Sequence, residues 1–158
     1  TDFNGASARL PLEGTFGLNY NFNPAWSVSG DVLMQQWSDF EGPTGQQVAF
    51  TKDRYKAAFG VRFLPYTRDI SSFFSRFKYR LGFSYDTGHL SLQGQDITTM
   101  MGSFGIGILS PKTRSSIDIS VQYGIRGTTT NNLVREEILG LRVSFNLAEL
   151  MFYRPKLQ

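Results

Sequence analysis

Residues 116–126 read SIDISVQYGIR, in which every second side chain is apolar or aromatic and the others are polar or glycine. Successive side chains of a β-strand point to opposite sides of its sheet, so this period of two indicates a strand with one apolar face. The pattern recurs six more times along the 158 residues. The seven runs occupy residues 12–22, 26–35, 54–63, 77–86, 100–108, 116–126 and 139–147. The sequence therefore predicts an all-β, antiparallel fold with about seven visible strands.

The composition suits many short strands and excludes several classes of protein. The chain has 14 Phe, 7 Tyr, 2 Trp and 16 Gly, and no cysteine for a disulfide or a thiolate metal site. The net charge is +3, with no dense Lys/Arg run that would indicate nucleic acid as a partner. No spacing of His, Asp or Glu suggests zinc, so we expect no metal and no cofactor. No apolar run approaches the roughly 18 to 20 residues of a membrane helix.

The two faces of the predicted strands differ in a way that is typical of a membrane barrel. In most runs the apolar face carries no charge over about five successive positions, which span roughly 25 to 30 Å. The other face is rich in Gly, Ser, Asn and Gln, with Arg at intervals, as expected of a narrow hydrated lumen. A soluble sandwich strand would turn its polar face to bulk water, where Lys and Glu are common. We therefore predict a transmembrane β-barrel in the outer membrane of a Gram-negative bacterium, in contact with outer-membrane lipids.

Aromatic side chains crowd the ends of several runs. Trp and Tyr at strand ends fit the interfacial girdles of a membrane barrel, where an apolar ring and a polar group are both satisfied. The alternative is that these rings cover a soluble core. The candidate girdle residues are Tyr20, Trp26, Trp37, Tyr85 and Tyr123.

The connections between the runs alternate in length. Tight turns lie at Pro24 and Pro111, whereas longer polar loops lie at Gly42, His89 and Thr128. Outer-membrane barrels have short periplasmic turns and longer extracellular loops. The three longer loops are therefore expected outside the cell.

This orientation leaves an odd number of visible strands. Bacterial single-chain barrels are even-stranded, and an unpaired sheet edge is not tolerated in lipid. We therefore expect residues 1–158 to be the C-terminal portion of a single larger barrel domain. The alternative is that residues 1–11 hide an eighth strand, although Pro11 would interrupt central pairing.

Two groups of short motifs stand out, and together they span most of residues 10–153. The first group is LP at 10–11, GLNY at 17–20, NPAW at 23–26, Asp31 and QWSDF at 36–40. The second group is GIG at 105–107, ID at 117–118, YG at 123–124, RG at 126–127, RE at 135–136, and the ending from FNL at 145–147 to MF at 151–152. These motifs resemble the OmpP1/FadL-type outer-membrane transport proteins, and the ending looks like the variant found in Bacteroidetes.

The resemblance implies a 14-stranded barrel with an N-terminal hatch, of which this chain would be the C-terminal half. It also implies passive, binding-assisted diffusion of long-chain fatty acids or other hydrophobic compounds, with a hydrophobic small molecule as the ligand and no enzyme chemistry. The alternatives are a structural or assembly-subunit barrel of the outer membrane, with membrane-protein partners, and a small complete eight-stranded barrel.

Charged residues on the polar face are the main candidates for a functional role. Unpaired buried charges are costly, so Arg, Lys and Asp inside a barrel most often brace it. The alternative is that an unpaired cation attracts an anionic head group such as a carboxylate. We favour bracing over ligand binding. The candidates are Arg54, Lys56, Arg62, Lys78, Arg80, Arg126, Arg142, Asp31, Asp86 and Asp118.

Two further features suggest chemistry or gating. His89 and Ser91 form a His-x-Ser pair that resembles outer-membrane lipid A deacylases, which would need a third, acidic group to orient the imidazole. A solvated loop histidine is the favoured interpretation, so we expect no catalytic residue. Gly105 and Gly107 lie in the run at 100–108, where glycine permits a bend. The resemblance to the OmpP1/FadL-type proteins implies that a strand kink at these glycines opens a lateral exit.

Overall fold

The computed structural model describes residues 10–41, 51–65, 73–92, 94–109 and 115–147. These ranges contain seven long strands and two of only two residues. The strands are β1 (Glu13–Asn21), β2 (Trp26–Gln35), β3 (Arg54–Phe63), β4 (Phe77–Asp86), β5 (Ser91–Leu92), β6 (Gln95–Asp96), β7 (Thr99–Leu109), β8 (Ser116–Gly127) and β9 (Arg135–Asn146). Short 3₁₀ turns occupy Trp37–Asp39, Phe73–Arg76 and Thr130–Asn132. In this part of the chain, no helix is long and apolar enough to cross a membrane.

The long strands form one antiparallel sheet in which each strand pairs with the next long strand along the chain. Their order is β1-β2-β3-β4-β7-β8-β9, and β5 pairs with β6 in a separate ribbon. This confirms the predicted all-β, antiparallel fold, which is of a β-barrel type. Across the described ranges β1 and β9 are the outer strands, and the sheet is not closed. The total of 14 strands and the place of residues 1–158 in a larger domain stay predictions.

The predicted runs coincide closely with the seven long strands, with one clear difference at β9. The alternation of apolar side chains begins at Leu139, whereas the strand begins at Arg135. Pairing of Gly127 with Arg135 and of Arg126 with Glu136 extends the ladder beyond the apolar pattern. Backbone hydrogen bonds need no apolar side chain, so charged residues continue the strand.

The turn between β1 and β2 shows how a local side chain reverses the chain. The Asn23 side-chain oxygen accepts hydrogen bonds from the backbone N–H groups of Ala25 and Trp26, each at 2.9 Å. Such bonds are the usual reason for Asn in a tight turn. We call this end of the sheet the turn end, and the end with His89 and Thr128 the loop end. The predicted turn at Pro111 and loop at Gly42 lie outside the described residues, as do residues 1–9.

The apolar side chains of neighbouring strands face each other across the whole sheet. Phe16 is directly opposite Val32, and Val61 is opposite Leu81. These side chains are exposed, and Leu81 retains 61% of its accessible surface. Among the described residues no hydrophobic side chain is buried. The sheet is thus a single layer with one apolar face open to its surroundings and one polar face.

Candidate functional site

Strand register arranges the polar face into rows that cross the sheet, since directly opposed residues of antiparallel strands project to the same side. A row near the turn end, hereafter the arginine row, contains three arginines and no acid. The arginine row consists of Asn21, Ser27, Arg62, Arg80, Gly105, Ser120 and Arg142. Near the loop end, four side chains from β1 to β4 form a connected set, hereafter the loop-end network. The loop-end network consists of Glu13, Gln35, Arg54 and Asp86.

The loop-end network is centred on a forked ion pair between β3 and β4. Arg54 donates to Asp86 through Nε at 2.9 Å and through Nη2 at 2.5 Å. Its Nη1 donates to Gln35 Oε1 at 3.1 Å, and Gln35 Nε2 donates to Glu13 Oε2 at 2.5 Å. A two-point guanidinium–carboxylate contact is strong and directional. The network therefore links four neighbouring strands through side chains alone.

Two aromatic side chains that follow the strands, Trp37 and His89, extend the loop-end network. The Trp37 indole N–H donates to Gln35 Oε1 at 3.0 Å, and the ring stacks on His89 with centroids 4.7 Å apart. His89 also lines a cavity of about 230 Å³ together with Arg54, Asp86 and Arg126. Partial burial, and then the positive charges of Arg54 and Arg126, lower the pKa of His89, while Asp86 opposes that shift. The folded protein therefore binds a proton at this imidazole less readily than an exposed histidine does.

The acids near His89 in sequence have other partners. Asp86 is bound by Arg54 and also accepts a hydrogen bond from the Gly88 backbone N–H at 2.9 Å. Asp96 lies opposite Ser91 in the β5–β6 ribbon and forms an ion pair with Lys52 at 2.6 Å. The hydrogen bond from Lys52 is the main cause that lowers the pKa of Asp96. None of the acids in the described ranges therefore holds the position beside His89 from which a catalytic triad orients its imidazole.

In the described ranges no group of three or more His, Cys, Asp or Glu side chains is placed to hold a metal ion.

The turn end is organised around a single carboxylate. Asp118 Oδ1 accepts from Arg80 Nη2 at 2.5 Å and lies 3.3 Å from Lys78 Nζ, and Asp118 Oδ2 accepts from Ser116 Oγ at 3.1 Å. Arg62 is directly opposite Arg80. One carboxylate thus serves two cations, and a third cation lies beside them.

Arg62 and Arg142 complete the arginine row without an acidic partner. Arg62 Nη2 donates to Asn21 Oδ1 at 3.3 Å. Arg142 is opposite Ser120 and has no ion pair within the described ranges. The row therefore carries positive charge that no carboxylate on the described strands neutralises.

Three other predicted charges join neither group through an ion pair within the described ranges. Lys56 is opposite Asp86 across β3 and β4, and Arg126 is opposite Glu136, but neither forms a contact short enough for an ion pair in the described structure. Asp31 is exposed, and its carboxylate lies over Gly17 on the neighbouring strand. One carboxylate oxygen is only 2.6 Å from the position that a Cβ of residue 17 would occupy. The sequence predicts these charges on the polar face, and the structure places them there without bringing them together.

Gly105 and Gly107 lie in an unbroken part of the β7 ladder. Gly105 is opposite Arg80 on one side and Ser120 on the other. Both glycines are buried, and a side chain at Gly107 would collide with Asp118 and Lys78. Their small size makes room for neighbouring polar side chains, while a lateral opening at this strand stays a prediction.

Of the five candidate girdle residues, four are exposed on the apolar face and one is not. Tyr20, Trp26, Tyr85 and Tyr123 retain large exposed areas, and Trp26 stacks on Phe63 with centroids 4.3 Å apart. Trp37 instead contacts Gln35 and His89 at the loop end, as described above. Sequence position alone did not reveal this contact, because a 3₁₀ turn after β2 rotates the side chain out of the strand pattern.

The comparisons with known proteins give one match. No curated protein and no solved structure matches the chain. A protein-family model described as BamG matches residues 2–158. BamG is a family distinct from the OmpP1/FadL-type transporters, so the expected membership of that transporter family is wrong. The motifs that suggested it, such as GLNY in β1 and NPAW at the following turn, consist of strand and turn residues that many barrels need for pairing and chain reversal. The chain belongs to the BamG family.

Proposed function

We propose that this protein is an outer-membrane β-barrel subunit associated with the BAM complex of a Gram-negative bacterium. The observation that carries the proposal is the match of the BamG family model to residues 2–158. The proposal corresponds to the assembly-subunit alternative raised by the sequence. Nothing in the comparisons supports a fatty-acid channel, and we do not retain that function.

The apolar face supports a location in the membrane. Large hydrophobic side chains are exposed on every long strand, and in water such a continuous surface would be an aggregation site. In lipid the same surface is solvated without cost, and the backbone polar groups are satisfied by the neighbouring strands. Ser, Asn and Arg side chains on the other face suit a hydrated interior.

The polar face supports a structural role rather than catalysis. The loop-end network links four strands, and the acids near His89 are bound to Arg54 and Lys52. We therefore propose that the barrel acts through contacts with membrane-protein partners and performs no enzyme chemistry.

Affinity purification of the tagged full-length protein from outer membranes tests the proposal. Mass spectrometry should find BAM subunits enriched with it in mild detergent. A tagged barrel of an unrelated family, expressed at the same level, serves as the reference. Equal recovery of BAM subunits with both proteins would contradict the association.

A matched pair of variants tests the membrane location separately. Leu81→Arg places a charge at the centre of the apolar face, where it costs roughly 2 to 4 kcal/mol in a barrel at the bilayer midplane. Ser84→Arg places the same charge on the polar face of the same strand. We expect Leu81→Arg alone to reduce the amount of protein in the outer-membrane fraction. Equal amounts of the two variants would exclude a lipid-facing apolar surface.

A further inference from the structure

We propose that the turn end of the polar face binds an oxyanion of the phosphate class between Arg62 and Arg80. These arginines are directly opposite each other on β3 and β4. Like charges in directly opposed positions destabilise a sheet. An anion between them replaces that repulsion with charge-assisted hydrogen bonds. The inference does not depend on the association with the BAM complex.

The local charge balance favours an anion at this position. The carboxylate nearest to the pair in the strand ladder belongs to Asp118, and it is already shared by Arg80 and Lys78 at 2.5 and 3.3 Å. Within the described ranges, Arg62 donates a hydrogen bond to the neutral side chain of Asn21, at 3.3 Å. One guanidinium of the pair is thus left without a counter-charge from the described strands.

A cavity of about 230 Å³ adjoins the pair and gives the anion a place to bind. The opposed glycines Gly60 and Gly82 form the next row toward the loop end, so no side chain fills that space from β3 or β4. Ser27 and Ser29 line the cavity from β2. Ser27 is only 3% exposed. The cavity therefore combines cationic forks with hydroxyl donors.

The arrangement of donors favours phosphate over carboxylate. Each guanidinium is a planar fork that suits a pair of oxygens, and both arginines line the cavity from neighbouring strands. A phosphate group has oxygens in several directions and can satisfy both forks and a serine hydroxyl together, whereas a carboxylate has only two oxygens in one plane. Drug-sized ligands occupy pockets of about 300 to 1,000 Å³. The smaller cavity suits a single phosphate group, either free or at the end of a lipid head group.

Calorimetric titration of the purified full-length protein with inorganic phosphate, in a non-ionic detergent at constant ionic strength, tests the site. We expect Arg62→Gln and Arg80→Gln each to weaken binding by roughly tenfold or more, since each removes charged hydrogen bonds. Arg142→Gln is the matched control, because it removes an arginine from the same row without touching the cavity. Unchanged binding by Arg62→Gln would overturn the proposal.

Thermal unfolding separates ligand binding from simple bracing of the barrel. In chloride, Arg62→Gln should unfold at the same or a higher temperature than the wild type, since it removes a like-charge contact. In phosphate of equal ionic strength, Arg62→Gln should unfold at a lower temperature than the wild type. A loss of equal size in both buffers would show that Arg62 only braces the sheet. If Arg62→Gln does not fold, Arg62→Lys keeps the charge but loses the fork, and unchanged phosphate binding by that variant would overturn the site.

Three further titrations identify the source of the group. Competition by short-chain phosphatidylglycerol that depends on Arg62 would support a lipid head group. Binding of inorganic phosphate and glycerol phosphate without such competition would support a free phosphate compound. Acetate binding as tight as phosphate binding would overturn the phosphate class.

Discussion

Both ends of the polar face carry charged side chains, but the loop end pairs an arginine with an acid and the turn end pairs an arginine with another arginine. At the loop end, Arg54 meets Asp86 through two hydrogen bonds and continues to Gln35 and Glu13. At the turn end, Arg62 faces another arginine across the ladder. One end is a closed set of donors and acceptors, and the other keeps excess positive charge.

Register, more than composition, decides what a charged residue does in this sheet. A one-residue shift of a strand moves every side chain to the other face, and a two-residue shift would move a residue to a different partner on the same face. Arg54 and Arg62 lie on the same face of β3, but they belong to different rows across the sheet. Arg54 reaches Asp86, which lies one row away and directly opposite Lys56, whereas Arg62 is directly opposite Arg80. Three substitutions test this contrast, in order of decreasing expected effect.

Asp86→Asn should break the balanced end and have the largest effect. The change leaves the Arg54 guanidinium without its carboxylate and weakens the contact with the Gly88 N–H. Because the side chains of Arg54 and Asp86 are only 28% and 14% exposed, we expect a loss of about 2 kcal/mol in the free energy of unfolding. Urea unfolding in lipid vesicles measures it. Asp31→Asn, on the same face but without a paired cation, should change little, and equal losses would contradict the contrast.

Asp118→Asn should have an intermediate effect at the turn end. It removes the carboxylate shared by Lys78 and Arg80, but the Arg80 side chain is 45% exposed, so solvent screens much of the loss. We expect about 1 kcal/mol less stability in the same unfolding assay. Adding Arg62→Gln should recover part of this loss in chloride, since it lowers the remaining repulsion. A further loss in the double variant would mean that Arg62 stabilises the row.

His89→Gln should have the smallest effect and should appear only in acid. The pKa of His89 is lowered from its ordinary value of 6.5, so the folded state binds its proton less readily than the unfolded state. The wild type therefore loses stability as the pH falls below about 6.5, whereas above that value this group contributes no such penalty. Unfolding at pH 8, 7, 6 and 5 should give a shallower decline for the variant. Parallel declines would show that neither burial nor the charges of Arg54 and Arg126 lower the pKa of His89.

The fold could be predicted from the sequence because side-chain alternation is a local signal. Each long strand carries it, and the strand bounds follow from it to within a few residues. The β5–β6 ribbon could not be predicted, since two residues per strand are too few to show a period. The start of β9 was placed too late because Arg135 and Glu136 continue the ladder without apolar side chains.

The candidate site was predictable only in part. Alternation placed Arg54, Asp86, Arg62 and Arg80 on the polar face, but which of them meet depends on the register between strands, and register is set by turns and pairing across the whole sheet. The contact of Trp37 with Gln35 and His89 depends on a loop turn with no periodic signal. The sequence motifs predict the wrong family because turn and strand residues depend on barrel geometry more than on function.

The consecutive order of the long strands has a consequence for the time course of folding. Each long strand pairs with the next long strand along the chain. The entropic cost of forming each new pair therefore comes only from closing the loop between those two strands. Local pairing of this kind lowers the entropic barrier and speeds folding relative to topologies with distant pairings. The hairpin of β1 and β2, with its Asn23 turn, closes the shortest connection of the sheet that the structure describes. We expect hydrogen-exchange protection to develop there early, and then to spread from hairpin to hairpin across the sheet.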